Sequence, residues 1–125
     1  MSLRSPLARV RGLGSAKEGV AQWWMQRMTA LALIPLAIWF CASVAALTGA
    51  DYRTVADWIG SPVPACLLLL LIGATFQHAQ LGLQVVIEDY VHSEGLKLAA
   101  LIAAKSAALV LGLGSALAVL SLFLA

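Results

Sequence analysis

His78 stands in the second half of an apolar run from about Val63 to about Ile87, and the stretch before it, Leu67 to Ile72, is purely aliphatic. If that run crosses a membrane, His78 is too deep to reach water along its own side chain. At about 1.5 Å per residue it lies at least roughly 13 Å from either end. A charged group at such a depth costs about 2.5–3.5 kcal/mol, and even a neutral imidazole needs a partner. Three kinds of partner suit it: a hydrogen bond to another helix, a water-filled pathway, or a metal. Imidazole is a common axial ligand of haem iron. His78, Gly82, Val85 and Asp89 follow one another at helical spacing and share one face. Gly82 leaves room one turn from His78, either for a flat macrocycle or for a neighbouring helix. Gln77, Gln80 and Gln84 form a second stripe, suited to hydrogen bonding across helices. Asp89 and Tyr90 close the run. A tyrosine there serves as an interfacial belt residue, or donates a hydrogen bond to a quinone carbonyl with the acid beside it. Arg27 opens an earlier apolar run. It sets topology there, or its guanidinium fork neutralises a carboxylate such as a haem propionate.

Such residues need membrane helices to position them, and the composition supplies these. Of 125 residues, 62% are hydrophobic and 11% charged. Soluble domains run at about 45–50% and about 25%. The balance excludes a disordered tail, a disulfide-rich module and most soluble folds. The net charge of +2 is too small to imply nucleic acid. One span needs about 20 apolar residues, so the chain holds about three in a single unit. The fold class expected is an all-α membrane protein with spans at about 28–47, 63–87 and 96–125, preceded by a basic arm over residues 1–27. Pro6, Gly12, Gly14 and Gly19 argue against one continuous helix in that arm, and Pro35 is expected to kink or loosen the first span. Trp23 and Trp24 fit an interfacial belt. Thr48 to about Pro62 reads as a short loop. Ala100, Ala104, Ala108, Gly112 and Ala116 make a small-residue ridge, which suits close helix packing or is plain alanine richness. Lys97 and Lys105 can reach the surface along their stems. Cys41 and Cys66 read as small buried hydrophobes. Basic residues crowd the arm (Arg4, Arg9, Arg11, Lys17 and Arg27), whereas the first loop has only Arg53. The positive-inside rule then puts the N-terminus in the cytoplasm and the C-terminus outside, with Arg27, Asp89 and Tyr90 on the inner face.

The stretch His78-Ala-Gln-Leu-Gly-Leu-Gln-Val-Val-Ile-Glu-Asp-Tyr-Val-His92 resembles the signature of the small hydrophobic membrane anchors of succinate dehydrogenase, respiratory complex II. Its pattern is a histidine, a glycine four residues on, then Asp-Tyr. Gln26-Arg27-Met28-Thr29-Ala30 is similar to the family's Arg-x-Thr-Ala element, and Arg9 to Gly19 looks like the alphaproteobacterial branch. With the three-span layout, the likeness covers nearly the whole chain. It implies a non-catalytic part of a bacterial inner-membrane enzyme of the tricarboxylic acid cycle and electron transport. The anchor would pack against a second three-helix membrane protein, the cytochrome b subunit, around one haem b. The flavoprotein and iron–sulfur subunits would dock on the inner face, carrying FAD and iron–sulfur clusters and passing electrons to ubiquinone. Carried over by position, His78 is the axial ligand of the haem iron, Arg27 lies near the propionates, and Tyr90 with Asp89 contacts ubiquinone. Gly82 is the motif's glycine, beside the haem. Ala21 stands where some relatives carry a further histidine near a propionate.

From His78 to Tyr90 is about 18 Å along a helix, enough to separate a haem within the membrane from an interfacial quinone pocket. Two other readings compete. A purely structural anchor or assembly protein without haem needs only the apolar helices and the ridge. A small transporter or proton channel built on His78 would call for an internal repeat or broken helix pairs, which the chain lacks.

Overall fold

The computed structural model describes residues 5–10 and 17–125. Arg4, Arg11, Gly12 and Gly14 of the arm lie outside the described residues. The elements are α1 (Pro6–Val10), α2 (Lys17–Ala46), α3 (Tyr52–Ile59), α4 (Pro62–Tyr90) and α5 (Glu94–Phe123), and no strand occurs among the described residues. Three helices, α2 from Gly19 onward, α4 and α5, are long and apolar enough to cross a membrane. The chain is thus an all-α, multi-pass membrane protein.

Each long helix exceeds the length that a bilayer needs. α4 has 29 residues and α5 has 30, against about 20 for one crossing. α2 begins at Lys17 rather than at Met28, so helix replaces the latter part of the expected arm. Gly19 alone does not outweigh the helix formers beside it, and the extra turns flank a groove whose other wall is Gly82 and Val85 of α4. α2 also runs unbroken through Pro35. The proline costs the Leu31 carbonyl its partner one turn back but does not end the helix, as membrane helices tolerate. α4 continues through Glu88, Asp89 and Tyr90, past the expected stop at Ile87. Pro62 at its first turn has no N–H to leave unsatisfied there.

The expected loop between the first two spans contains α3. Asp51 caps it by accepting a 2.9 Å hydrogen bond from the Thr54 N–H. Val55, Trp58 and Ile59 recur at helical spacing and turn inward, while Arg53 and Asp57 face out. That pattern was in the sequence, beneath the glycines and prolines that marked a loop. The same cap bond holds the Asp51 carboxyl below its ordinary range. Its contribution to α3 is therefore complete at neutral pH and falls away as pH drops through that lowered value. Amide exchange at Thr54 should quicken over that acid range relative to amides in mid-α4.

α4 is the central helix. It packs on α2 along one side and α5 along the other, while α2 and α5 do not meet. The three form an open row rather than a closed bundle, so little is enclosed. Ala65, Leu68, Leu81 and Val119 are the buried hydrophobic residues. Three of these make a small core at the α3 end, with Trp39, Trp58, Ile59, Leu69 and Ile72 around it. There Trp39 and Trp58 stack with ring centroids 5.8 Å apart. Gly60 pins the same end. A methyl on its Cα would lie 2.7 Å from the Leu122 carbonyl oxygen. Backbone cannot yield as a flexible side chain would, so Gly60→Ala should cost about 1–3 kcal/mol. A lower melting temperature of the detergent-solubilised complex would register it.

The small-residue ridge of α5 faces α4. Ala100, Ala104, Ala108, Gly112 and Ala116 are all half-buried. The Phe76 side chain lies where a Cβ on Gly112 would touch it at 3.5 Å. Cys41 and Cys66 depart from expectation, since both are exposed on the chain's outer surface. An open row of helices has too little interior to cover them, and lipid or another protein must do so.

Candidate functional site

The site grows from the contact between α2 and α4. His78 Nδ1 lies 3.0 Å from the Thr29 hydroxyl oxygen. Thr29 is the one buried polar residue among those described, at 8% exposure. Its hydroxyl also lies 2.7 Å from the Met25 carbonyl and 3.1 Å from that of Gln26. His78 is only half-buried. Its other ring nitrogen, Nε2, has no hydrogen-bond partner among the described residues and is not enclosed by the chain. In a membrane-spanning segment, that leaves a polar atom still in need of a partner.

One turn along the same face, Gly82 and Val85 form one wall of a groove of about 440 Å³. The opposite wall is α2: Gly19, Gln22, Trp23, Gln26 and Arg27. Above Gly82 the space is open, since an added Cβ would meet nothing closer than Gln26 Nε2 at 4.0 Å. Arg27 lies over the Trp23 ring, 5.3 Å from its centroid. This cation–π contact holds the guanidinium at the groove while leaving its donors free for an anion. Trp23 in turn meets Trp24 edge to face at 5.1 Å. Gln26 Oε1 is buried without a partner.

The sequence-derived candidates fall into two groups. His78, Gly82 and Arg27 are gathered at one helix–helix contact and its adjoining groove. Asp89 and Tyr90 lie apart, exposed at the end of α4, with Tyr90 at 76% exposure. Neither makes a side-chain hydrogen bond among the described residues. The glutamines do not bond across helices. Gln80 donates to Gln84 at 3.2 Å and Gln84 to Glu88 at 3.0 Å, all along α4. Gln80 and Gln84 thus find partners one turn away on their own helix, and Gln77 makes no side-chain hydrogen bond among the described residues. Gln77 and Gln80 also border a groove toward α5 with Lys105.

Two features escaped sequence reasoning. Thr29 enters the sequence reading only within the Arg-x-Thr-Ala resemblance, because a span beginning near Met28 puts it at the membrane edge and His78 well inside. Gly19, Gln22 and Gln26 fall in the arm, where the glycines and Pro6 argue against one continuous helix, although their spacing of three and four already marks one helix face.

No cluster of three or more His, Cys, Asp or Glu side chains able to hold a metal ion occurs among the described residues. The donors do suit a flat, anionic, iron-bearing macrocycle. They comprise one outward imidazole, a glycine opening and an arginine beside it.

The chain matches the succinate dehydrogenase/fumarate reductase transmembrane subunit family over residues 1–113. It is 32% identical over 102 residues to the succinate dehydrogenase hydrophobic membrane anchor subunit of Rickettsia bellii, covering 82% of each chain. The protein of the same name in Paracoccus denitrificans is 32% identical over 86 residues, covering 69% of this chain and 67% of that one. The succinate dehydrogenase membrane anchor subunit of Reclinomonas americana is 31% identical over 81 residues, 62% of this chain and 68% of the relative. No solved structure matches significantly. This chain belongs to the succinate dehydrogenase/fumarate reductase transmembrane subunit family, as a membrane anchor of succinate dehydrogenase and not one of its catalytic subunits.

Proposed function

We propose that this anchor holds one side of a haem b and part of a ubiquinone site, in a complex with the cytochrome b membrane subunit, the iron–sulfur subunit and the flavoprotein subunit. The observation that carries the haem reading is His78: an imidazole in a membrane-spanning helix with one nitrogen held by Thr29 and the other without a hydrogen-bond partner among the described residues. His78 Nε2 would be the atom of this chain that holds the haem iron, in a site shared with the cytochrome b subunit. The open row of helices supports a second membrane protein beside this one, because the faces of α2 and α5 turned from α4 have no cover within the chain. Gly82 gives the macrocycle clearance, and Arg27 pairs with a propionate. When bound, the haem supplies one-electron redox chemistry, while the protein supplies position and electrostatics.

Tyr90 and Asp89, at the exposed end of α4, hold the quinone. The tyrosine hydroxyl donates to a quinone carbonyl, and Asp89 orients that hydroxyl. The basic residues near the α2 entry support a cytoplasmic N-terminus and a periplasmic C-terminus, and the likeness to the anchors of Rickettsia bellii and Paracoccus denitrificans supports the bacterial inner membrane. FAD belongs to the flavoprotein and the iron–sulfur clusters to the iron–sulfur protein, both docked on the cytoplasmic side.

The test is a reduced-minus-oxidised absorption spectrum of the purified whole complex. A b-type spectrum in stoichiometry with flavin supports the reading. A complex with all partners present and no haem removes it, leaving a structural anchor.

A further inference from the structure

Resting on the haem reading above, we propose that Thr29 is the positioning residue for His78: its oxygen accepts the Nδ1–H, fixing the tautomer and the ring plane so that Nε2 presents the lone pair to iron. Proton counting sets the direction of that bond. A threonine hydroxyl has one hydrogen and two lone pairs. Its neighbours are the Met25 carbonyl at 2.7 Å, the Gln26 carbonyl at 3.1 Å and His78 Nδ1 at 3.0 Å. Both carbonyls can only accept. Two oxygens 2.7 Å apart without a hydrogen between them repel, so the hydroxyl hydrogen goes to Met25, with Gln26 as its longer second acceptor. Only acceptor capacity remains toward His78. A 3.0 Å contact to Nδ1 is then a hydrogen bond only when Nδ1 carries the hydrogen. A neutral imidazole protonated at Nδ1 has its lone pair on Nε2, and Nε2 is the nitrogen with no hydrogen-bond partner among the described residues.

Thr29 is built to hold this geometry. It is buried on α2, and its branched Cβ allows few rotamers. The bond back to Met25 selects one of them. Because α2 and α4 are packed together here, the hydroxyl also fixes the ring against rotation about its own side-chain bonds. Iron-ligating imidazoles that donate their other N–H are oriented and made more basic by the acceptor, and loss of such a partner costs about 10–100-fold in metal affinity.

Thr29→Val keeps the shape and removes the oxygen, and Thr29→Ser keeps the oxygen. The experiment uses membranes containing the whole complex, with every value normalised to flavin. It measures haem content after detergent washing, the low-spin ferric EPR signal and the haem midpoint potential. T29V should bind haem about 10–100-fold more weakly. The haem that remains should show an altered EPR signal and a more positive potential, because a less basic imidazole favours the ferric state less. T29S should match the wild type in all three. The proposal is overturned by a T29V complex with the wild-type EPR signal and potential, or by T29S disturbed as much as T29V. Loss of both the T29V and T29A complexes from the membrane would also overturn it, by making the hydroxyl a folding element. A haem-free wild-type complex would overturn the underlying reading, and this proposal with it.

Discussion

Replacing His78 with alanine is expected to abolish the b-type haem spectrum of the complex while leaving much of the complex in the membrane. Loss of a partner behind an iron-ligating imidazole already weakens metal binding about 10–100-fold, and loss of the ligand itself should exceed that. The backbone consequence is small, because alanine is the best helix former and α4 keeps its packing on α5 through Phe76, Gly112 and the small-residue ridge. Haem per flavin should therefore fall to about a tenth or less. Succinate oxidation by an artificial acceptor, which draws on the flavoprotein, should remain. A purely structural anchor predicts the opposite division: His78→Ala would lower the amount of assembled complex through loss of the Thr29 contact, and each complex that did assemble would look like the wild type.

Tyr90→Phe should separate the quinone site from the haem. The substitution removes one hydroxyl from an exposed side chain at the end of α4, so its effect on folding should be slight. A hydrogen bond to a group that gains charge is worth about 1.5–3 kcal/mol, so quinone reduction should slow about tenfold to 100-fold. Haem content and succinate oxidation by an artificial acceptor should be unchanged. Asp89→Asn should give a weaker form of the same defect, since Asp89 acts through the tyrosine. If Tyr90→Phe reduces ubiquinone at the wild-type rate, Tyr90 is an interfacial belt residue and the quinone site lies elsewhere. The two lesions should also add independently, because His78 and Tyr90 are about 18 Å apart along one helix.

The sequence carried the membrane architecture because lipid imposes a simple rule: each crossing needs a long apolar run, and each run must be helical. Helix ends followed a different rule. Lys17 to Arg27 is polar enough to stand outside hydrocarbon, and hydropathy stopped at the edge of the oil. The helix continues past that edge, and its added turns wall the groove opposite Gly82. α3 was hidden by its flanking glycine and proline, although Asp51 and the Val55, Trp58, Ile59 spacing described a capped amphipathic turn. At the site, His78, Gly82 and Arg27 were legible because histidine and arginine are costly near lipid and therefore conspicuous. Thr29 was not, because a hydroxyl can satisfy itself on its own helix, and only coordinates reveal the second bond across to His78. The glutamine stripe misled for a related reason. Spacing says which residues share a face but not which neighbour that face meets, and here Gln80 and Gln84 found partners on α4 itself.

The most direct measurement is a density map of the complete complex at a resolution that separates the imidazole of His78 from its surroundings. Continuous density should join His78 Nε2 to an iron atom, with a second imidazole from the neighbouring membrane protein on the opposite side and the Thr29 oxygen behind Nδ1. A His78 ring that faces lipid, or that lies beside a porphyrin without reaching its iron, would contradict the account.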